Sequence, residues 1–312
     1  MKILLFGSTG QLGRAFARHC SQRADIELVA VDRKGCDASA DPDSVQDVLA
    51  AWFGRSRPDW VVNALAYTAV DRAESEIDLA FRINAKFPQV LANTTERFGA
   101  TMIHFSSDYV FDGSLSGRAY REDDPCDPRS VYGQSKREGE LAVLQASQSA
   151  WVIRTSWVVG VDGQNFAKTM LRLACERPRL RVVSDQWGVP SPAAFLAREV
   201  TEAMMTRPDE NNHGLYHLCP SGETNWHDYA TWVIDEAARH PLWKDRIRIL
   251  GAQAIEAIGS ADYPTAAQRP ANSRLDCSRW CARFSPSGLP DWKVALEPSL
   301  QAILDNDHTS CA

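Results

Sequence analysis

Short apolar runs alternate along the first half of the chain with stretches in which apolar residues recur every three or four positions. The runs are Ile3-Leu4-Leu5-Phe6, Ile26 to Val31, Trp60-Val61-Val62-Asn63, Met102 to Ser106 and Trp151 to Thr155. Runs this short, rich in β-branched and aromatic residues, read as buried strands. Between them the spacing predicts helices from Gly13 to Arg23 and around Asp43–Trp52, Leu79–Phe98 and Gln134–Gln145. Such alternation predicts an α/β fold: a Rossmann-type, doubly wound parallel sheet with helices on both faces and ligands at the carboxyl ends of its strands. Beyond Trp157 the pattern changes. Proline and glycine become frequent, helices are expected over Phe166–Glu176 and Ala194–Met205, and Leu215-Tyr216-His217-Leu218 reads as a strand returning to the sheet. The expected division is a sheet domain over residues 1–157 and a smaller α/β lobe built mainly from 158–312.

The first strand runs directly into Gly7-Ser8-Thr9-Gly10-Gln11-Leu12-Gly13. In a phosphate-binding turn Gly7 permits the sharp exit from the strand, Gly10 lets the backbone approach a pyrophosphate, and Gly13 lets the new helix pack on the sheet. The helix N-terminus then offers free N–H groups to the anion. The G-x-x-G-x-x-G spacing alone also fits a purely structural turn. The second strand, however, ends in Asp32, one strand–helix–strand unit on and placed to accept from an adenosine ribose, which favours a dinucleotide site in the 1–157 domain. Arg33 beside it offers a partner for a 2′-phosphate or a face for adenine, so NAD and NADP both stay open. Asp37 is either an adenine contact or a solvated loop acid. Candidate cofactor residues are therefore Gly7, Thr9, Gly10, Gln11, Leu12, Gly13, Asp32, Arg33 and Asp37.

With 312 residues, 44% of them hydrophobic, the chain can bury a large core. A net charge of −6 with scattered basic residues argues against a nucleic-acid partner. No stretch approaches the roughly 20 apolar residues of a membrane span, and the first strand is not preceded by a basic leader, so a cytoplasmic protein is expected. The cysteines, Cys20, Cys36, Cys126, Cys175, Cys219, Cys277, Cys281 and Cys311, form no C-x-x-C pair and read as reduced thiols. Neither Cys277-x-x-x-Cys281 nor His213-x-x-x-His217, which lies in a strand-like alternation, makes a convincing metal site; no metal is expected. Trp52 and Trp232, in helical stretches, read as core.

Tyr132-Gly133-Gln134-Ser135-Lys136 sets a phenol and an ammonium on one face at the start of a helix. A free phenol titrates near 10, so proton exchange near neutrality asks for about 4 kcal/mol of help toward the phenolate. The ammonium one turn away is expected to supply part of it and to hold the nicotinamide ribose. The pair alone is a common coincidence. It gains force from the nucleotide turn upstream and from Ser106-Ser107 at the end of an apolar strand.

These residues resemble the extended short-chain dehydrogenases/reductases. The blocks Asn63 to Asp71, Ser106 to Gly113, Arg154-Thr155-Ser156-Trp157, Asn165 to Met170 and Arg269-Pro270-x-Asn272-Ser273 are similar, in order, to the dTDP-4-dehydrorhamnose reductases, over Met1 to about Leu275. The resemblance implies NADPH as cofactor, with NADH the alternative, and a dTDP-sugar as substrate. It implies Tyr132 as the catalytic acid, Lys136 as its partner and Ser107, where Thr is commoner, as the hydroxyl that polarises the carbonyl. It places Leu65, Ala66 and Tyr67 along the cofactor, and Asp108 and Trp157 on the sugar. Lys168, Arg172 and Arg269 are candidate cations for the diphosphate, and Gln186-Trp187-Gly188-Val189-Pro190 is a rigid loop suited to a sugar or base; ordinary surface charge and packing compete with each. Some members bind Mg²⁺ through glutamates at a homodimer interface. Ala15 and Ala194 stand where those would align, which argues against metal dependence and that dimer. Two alternatives are carried: a related nucleotide-sugar epimerase, dehydratase or reductase, and a non-catalytic NADP-binding regulatory subunit similar to that of methionine adenosyltransferase. Ser107-Asp108 lacks the following Glu that a dehydratase would need.

Overall fold

The computed structural model describes residues 1–206, 212–249 and 251–306. Strand β1 (Lys2–Phe6) leads into helix α1 (Gln11–Ser21), and β2 (Glu27–Val31), α2 (Pro42–Ser56) and β3 (Trp60–Asn63) follow. Helix α2 opens at Asp41, whose carboxylate accepts the Asp43 N–H, with Pro42 where no donor is needed; it closes at Arg57 in the left-handed region. The single helix expected over Leu79–Phe98 is broken. After α3 (Val70–Ala73), α4 (Ile77–Phe81) passes through a π-turn at Arg82–Lys86 into α5 (Phe87–Arg97). Pro88 supplies no N–H to the ladder, and the widened turn aims the buried Asn84 side chain at the Tyr67 backbone and the Ser135 hydroxyl. Strand β4 (Thr101–Ser107) ends in a 3₁₀ turn at Asp108–Val110, and α6 (Val131–Ala146), capped by Ser130, precedes β5 (Trp151–Thr155).

Two-residue strands then take over. β6 (Val158–Val159), α7 (Phe166–Glu176), β7 (Leu180–Val183), β8 (Trp187–Gly188), β9 (Ser191–Pro192) and α8 (Ala193–Met205) lead to β10 (Gly214–His217), which pairs with β5. β11 (Thr224–Asn225), α9 (Trp226–Arg239), β12 (Ile255–Ile258), α10 (Ser278–Phe284) and α11 (Trp292–Asn306) complete the chain. β6 pairs with β9, β8 with β11 and β7 with β12.

The main sheet has the order β10-β5-β4-β3-β1-β2 and is parallel throughout. Successive strands from β1 run to opposite sides, so a crevice opens beyond the carboxyl ends of β1 and β3. Alternate residues feed two cores. Ile3, Leu5, Val62, Ile103 and Ile153 meet α1, α8 and Trp280 on one face, while Leu4, Phe6, Val61, Met102 and Val152 meet Leu49, Phe53 and Leu91 on the other. A further core of Leu171, Val182, Tyr229, Val233 and Leu300 fills the C-terminal half.

Two packing expectations need correction. Trp52 and Trp232 are only half-buried: Trp52 donates to the Gly35 carbonyl at 3.0 Å under the Arg55 guanidinium, and Trp232 meets Trp292 edge-on. Their polar N–H and large size suit the rim of a core better than its centre. Leu215 to His217 lie in a strand, as their alternation implied, with His213 just before it, and the buried His217 ring faces the Tyr120 carbonyl and Arg154. The Cys277 thiol lies 3.5 Å from that of Cys219, and the seven cysteines of the described residues are free; Cys311 lies outside them.

Candidate functional site

The turn after β1 is built as its glycines require. Gly7 sits at φ 79°, and a Cβ on Gly13 would lie 2.1 Å from the Gly7 carbonyl oxygen, so only glycine lets α1 start this close to the strand. Helix α1 begins at Gly10 with no side-chain cap and no acid in its first turn. Its N–H groups and positive dipole end are left for an anion. They border a cleft of about 250 Å³ lined by Gly7, Thr9, Gly10, Arg33, Asp37, Leu65 and Ala66 together with Ala38, Ser39, Ala64 and Ile83.

Other residues expected there behave differently. The Asp32 carboxylate accepts the Gly35 N–H at 3.0 Å, holding the turn after β2. Asp37 accepts the Ser39 hydroxyl at 2.6 Å and the Ser39 N–H at 2.9 Å, which hold its carboxyl below the usual range. Arg33 is largely exposed, 3.5 Å from Asp37. The side chain of Gln11 leaves the turn: its carbonyl accepts the Gly160 N–H at 2.8 Å and the Asn165 amide at 3.1 Å, because α1 packs beside β6. Tyr67 gives its hydroxyl to Glu76 and its backbone to Asn84.

Tyr132 and Lys136 lie in the first turns of α6, fixed by the Ser130 cap on the Gly133 N–H. Both are buried. The ammonium of Lys136 donates to the Phe105 carbonyl at 2.6 Å, and burial pulls it down to about 8, with the Glu140 carboxylate opposing. Burial pushes the Tyr132 phenol up to about 12, opposed by the facing Ser107 hydroxyl. The expected lowering by Lys136 is thus not what this geometry delivers: desolvation of the phenol dominates and the ammonium is engaged by a backbone carbonyl. Ser107, at the end of β4, donates to Asp108 at 2.9 Å and accepts the Tyr109 N–H. Burial lifts the Asp108 carboxyl to about 6, against the Ser273 and Ser107 hydroxyls. The Tyr109 ring meets Tyr132 edge-on at 5.5 Å.

Trp157 follows β5 with φ 45° and stacks on Trp226 at 3.6 Å between ring centroids. The Gln186 amide is engaged at both ends, donating to Ser260 and accepting from Trp226. Of the expected diphosphate cations, Lys168 stands half-buried in the first turn of α7, Arg172 pairs with Glu176, and Arg269 pairs with Asp71 at 2.6 Å. Arg172 and Arg269 are thus committed to carboxylates of the protein.

Several contributors escaped the sequence reading. Asn84 ties Tyr67 to α6, Ser39 holds Asp37, Ser273 faces Asp108, and His104 sits buried on β4. The His104 imidazole is kept neutral, well below its ordinary value, by burial and by Lys136. Its Nδ1 accepts from Asn63, whose own carbonyl is taken by the Leu65 N–H. Only the strand pairing of Asn63 with His104 could have pointed to this link.

Comparison with known proteins gives one consistent result. Residues 1–304 match the family described as the RmlD substrate binding domain. The chain is 40% identical over 304 residues to a dTDP-4-dehydrorhamnose reductase of Shigella flexneri, covering 97% of this chain and 98% of that protein. A reductase of the same name from Clostridium acetobutylicum superposes with a TM-score of 0.84 at 32% identity, covering 96% of this chain and 99% of the other. One from Bacillus anthracis, solved in complex with NADP, also has a TM-score of 0.84, at 28% identity, covering 96% and 98%. UDP-glucose 4-epimerase of Thermus thermophilus, at 15% identity and a TM-score of 0.75, shares the fold. With blocks, fold and site geometry in agreement over nearly its whole length, the chain belongs to the dTDP-4-dehydrorhamnose reductase family.

Proposed function

We propose that the chain reduces the 4-keto group of dTDP-4-dehydro-L-rhamnose to give dTDP-L-rhamnose, with NADPH as hydride donor and NADH as the alternative. The observation that carries this reading is the meeting of the Ser107 and Tyr132 hydroxyls at the end of β4, on the same carboxyl edge of the parallel sheet as the uncapped N-terminus of α1. The cleft suits the adenosine and pyrophosphate half of a dinucleotide: glycines admit the backbone to a pyrophosphate, the α1 N–H groups can satisfy it, and Arg33, Asp37 and Ser39 line the end where an adenosine would lie. When bound, the dihydronicotinamide supplies the hydride for C4.

The protein's own work is on the oxygen. Ser107 turns its O–H from Asp108 to the ketone, and Tyr132 offers a second O–H to the same atom. Each donor is worth roughly 3 kcal/mol if it acts like an oxyanion-hole donor. Held near 12, the Tyr132 phenol arrives protonated yet is far more acidic than the alcohol being formed, so it gives its proton to the alkoxide. Lys136 holds a positive charge behind this site and is placed to bind the ribose hydroxyls. Trp157 and Gln186 would face the sugar, with Asp108 beside its reacting edge. Lys168 and Arg269 stay in the reading as diphosphate ligands, Arg269 on condition that it gives up Asp71.

Ala15 and Ala194 offer no ligand oxygen, which supports turnover without Mg²⁺. No helix among the described residues is long and apolar enough to cross a membrane, and the reading places the enzyme in the cytoplasm, with its soluble nucleotide substrates. The test is consumption of NADPH and of NADH on dTDP-4-dehydro-L-rhamnose, with and without EDTA. Turnover that survives EDTA is expected; none with either cofactor would overturn the reading.

A further inference from the structure

β11 pairs antiparallel with β8, setting Asn225 opposite Trp187, so the residue after Asn225 is delivered beside Gln186. Asn225 also caps α9, its carbonyl accepting the Asp228 N–H at 2.8 Å, which fixes Trp226 as the first helical residue. From there the half-buried indole does two things. Its ring lies on Trp157, 3.6 Å between centroids and 16° between planes, and its N–H donates to the Gln186 carbonyl at 3.1 Å. Phe166 supports the stack from 4.6 Å.

Both contacts settle something otherwise undetermined. Trp157 holds φ 45°, a left-handed conformation that a bulky residue keeps only where its surroundings over-determine it. The space its ring occupies exists because residue 188 is glycine; a Cβ there would stand 2.6 Å from the indole. Gln186 donates to the Ser260 hydroxyl at 2.9 Å, and with the Trp226 N–H on its carbonyl the amide cannot flip.

We infer that Trp226 is a positioning residue for recognition of the sugar, presetting the Trp157 ring and the Gln186 amide before substrate arrives. This rests on the proposed reading that those two side chains face the sugar. Presetting lowers the ordering cost of binding and has no part in the chemical step. Its loss therefore moves the KM for the sugar and leaves kcat and the KM for NADPH in place.

The test is steady-state kinetics of the full chain with dTDP-4-dehydro-L-rhamnose and NADPH, joined to circular dichroism, in which two stacked indoles give an exciton couplet without any ligand. Trp226→Leu is expected to remove the Trp157–Trp226 contribution to the couplet, read as a difference spectrum over the signal of the other close indole pairs, and to raise the sugar KM about five- to tenfold, the worth of one aromatic contact. Trp226→Phe keeps a stacking face and loses the N–H, and a rise of about two- to threefold is expected, matching Gln186→Ala. If Trp226→Leu does not fold, the Phe variant carries the comparison. An unchanged sugar KM in both Trp226 variants, with a raised one in Trp157→Ala, overturns the inference. So does a fall in kcat together with a rise in both KM values, the mark of general loosening. An unchanged sugar KM in Trp157→Ala and Gln186→Ala shows instead that the underlying placement of the sugar is wrong, and the inference falls with it.

Discussion

In the proposed reaction Tyr132 gives up a proton once per turnover, so it has to be protonated when the substrate arrives, and burial favours that state. Tyr132→Phe removes the proton and the donor while keeping the ring against Tyr109. Its kcat is expected to fall about 10²–10⁴-fold with cofactor affinity nearly unchanged, which rapid kinetics and fluorescence titration can check. Lys136 sets a different limit. Its ammonium is held to about 8, so the positive charge behind the site is lost as pH rises through that value, and kcat/KM is expected to bend downward there. A profile flat to pH 10 would rule out a working role for that charge. The choice of Ser107 came from the family resemblance, whereas the positions of Tyr132 and Lys136 on one helix and of the Ser106-Ser107 pair at a strand end were legible in the sequence, because local spacing sets them whatever the rest of the chain does. His104, Asn84 and Trp226 were not, since their partners Asn63, Ser135 and Gln186 are brought to them only by strand pairing and helix packing. The phenol's environment was also misjudged from sequence, because four-residue spacing says nothing about how deeply a ring is buried.

At the scale of elements, α6 is bolted to the sheet by charge. Glu140 and Arg154, both fully buried, meet through two hydrogen bonds of 2.7 and 2.8 Å, and Arg137 adds a third contact. Burial alone would raise the Glu140 carboxyl, but the Arg154 guanidinium more than cancels it. Arg154 also lies 4.9 Å over the Phe111 ring, which joins the segment after Ser107 to the same anchor. Breaking such a pair leaves a buried charge uncompensated. Glu140→Gln is expected to lose about 3–5 kcal/mol in urea denaturation, and Glu140→Leu with Arg154→Met clearly less. Equal losses would mean that packing rather than charge anchors the helix. The strands and long helices were readable from periodicity, whereas the π-turn at Arg82–Lys86 was not: one extra residue in a turn leaves the apolar pattern almost unchanged.

Across the whole molecule, the order of the main strands follows from alternation and short right-handed crossovers, so the crevice was expected where it lies. The two-residue strands of the C-terminal half were invisible, because a pair of residues carries no period; β8 is defined by its pairing with β11 and by the bridge from Trp187 to Asn272. The two halves are also tied directly. Asp71 holds Arg269 and the Ala267 N–H, and Gln11 reaches Gly160 and Asn165. Gln11 therefore belongs to two places at once, its backbone to the anion-binding turn and its side chain to the loop that opens α7. A ligand that stills the turn stills that loop as well, so the second ligand to arrive has less disorder to remove. Thermodynamic reciprocity then makes the effect mutual: the factor by which cofactor tightens sugar binding must equal the factor by which sugar tightens cofactor binding. Calorimetric titrations in either order are expected to return the same factor, and Gln11→Ala to bring both toward one together.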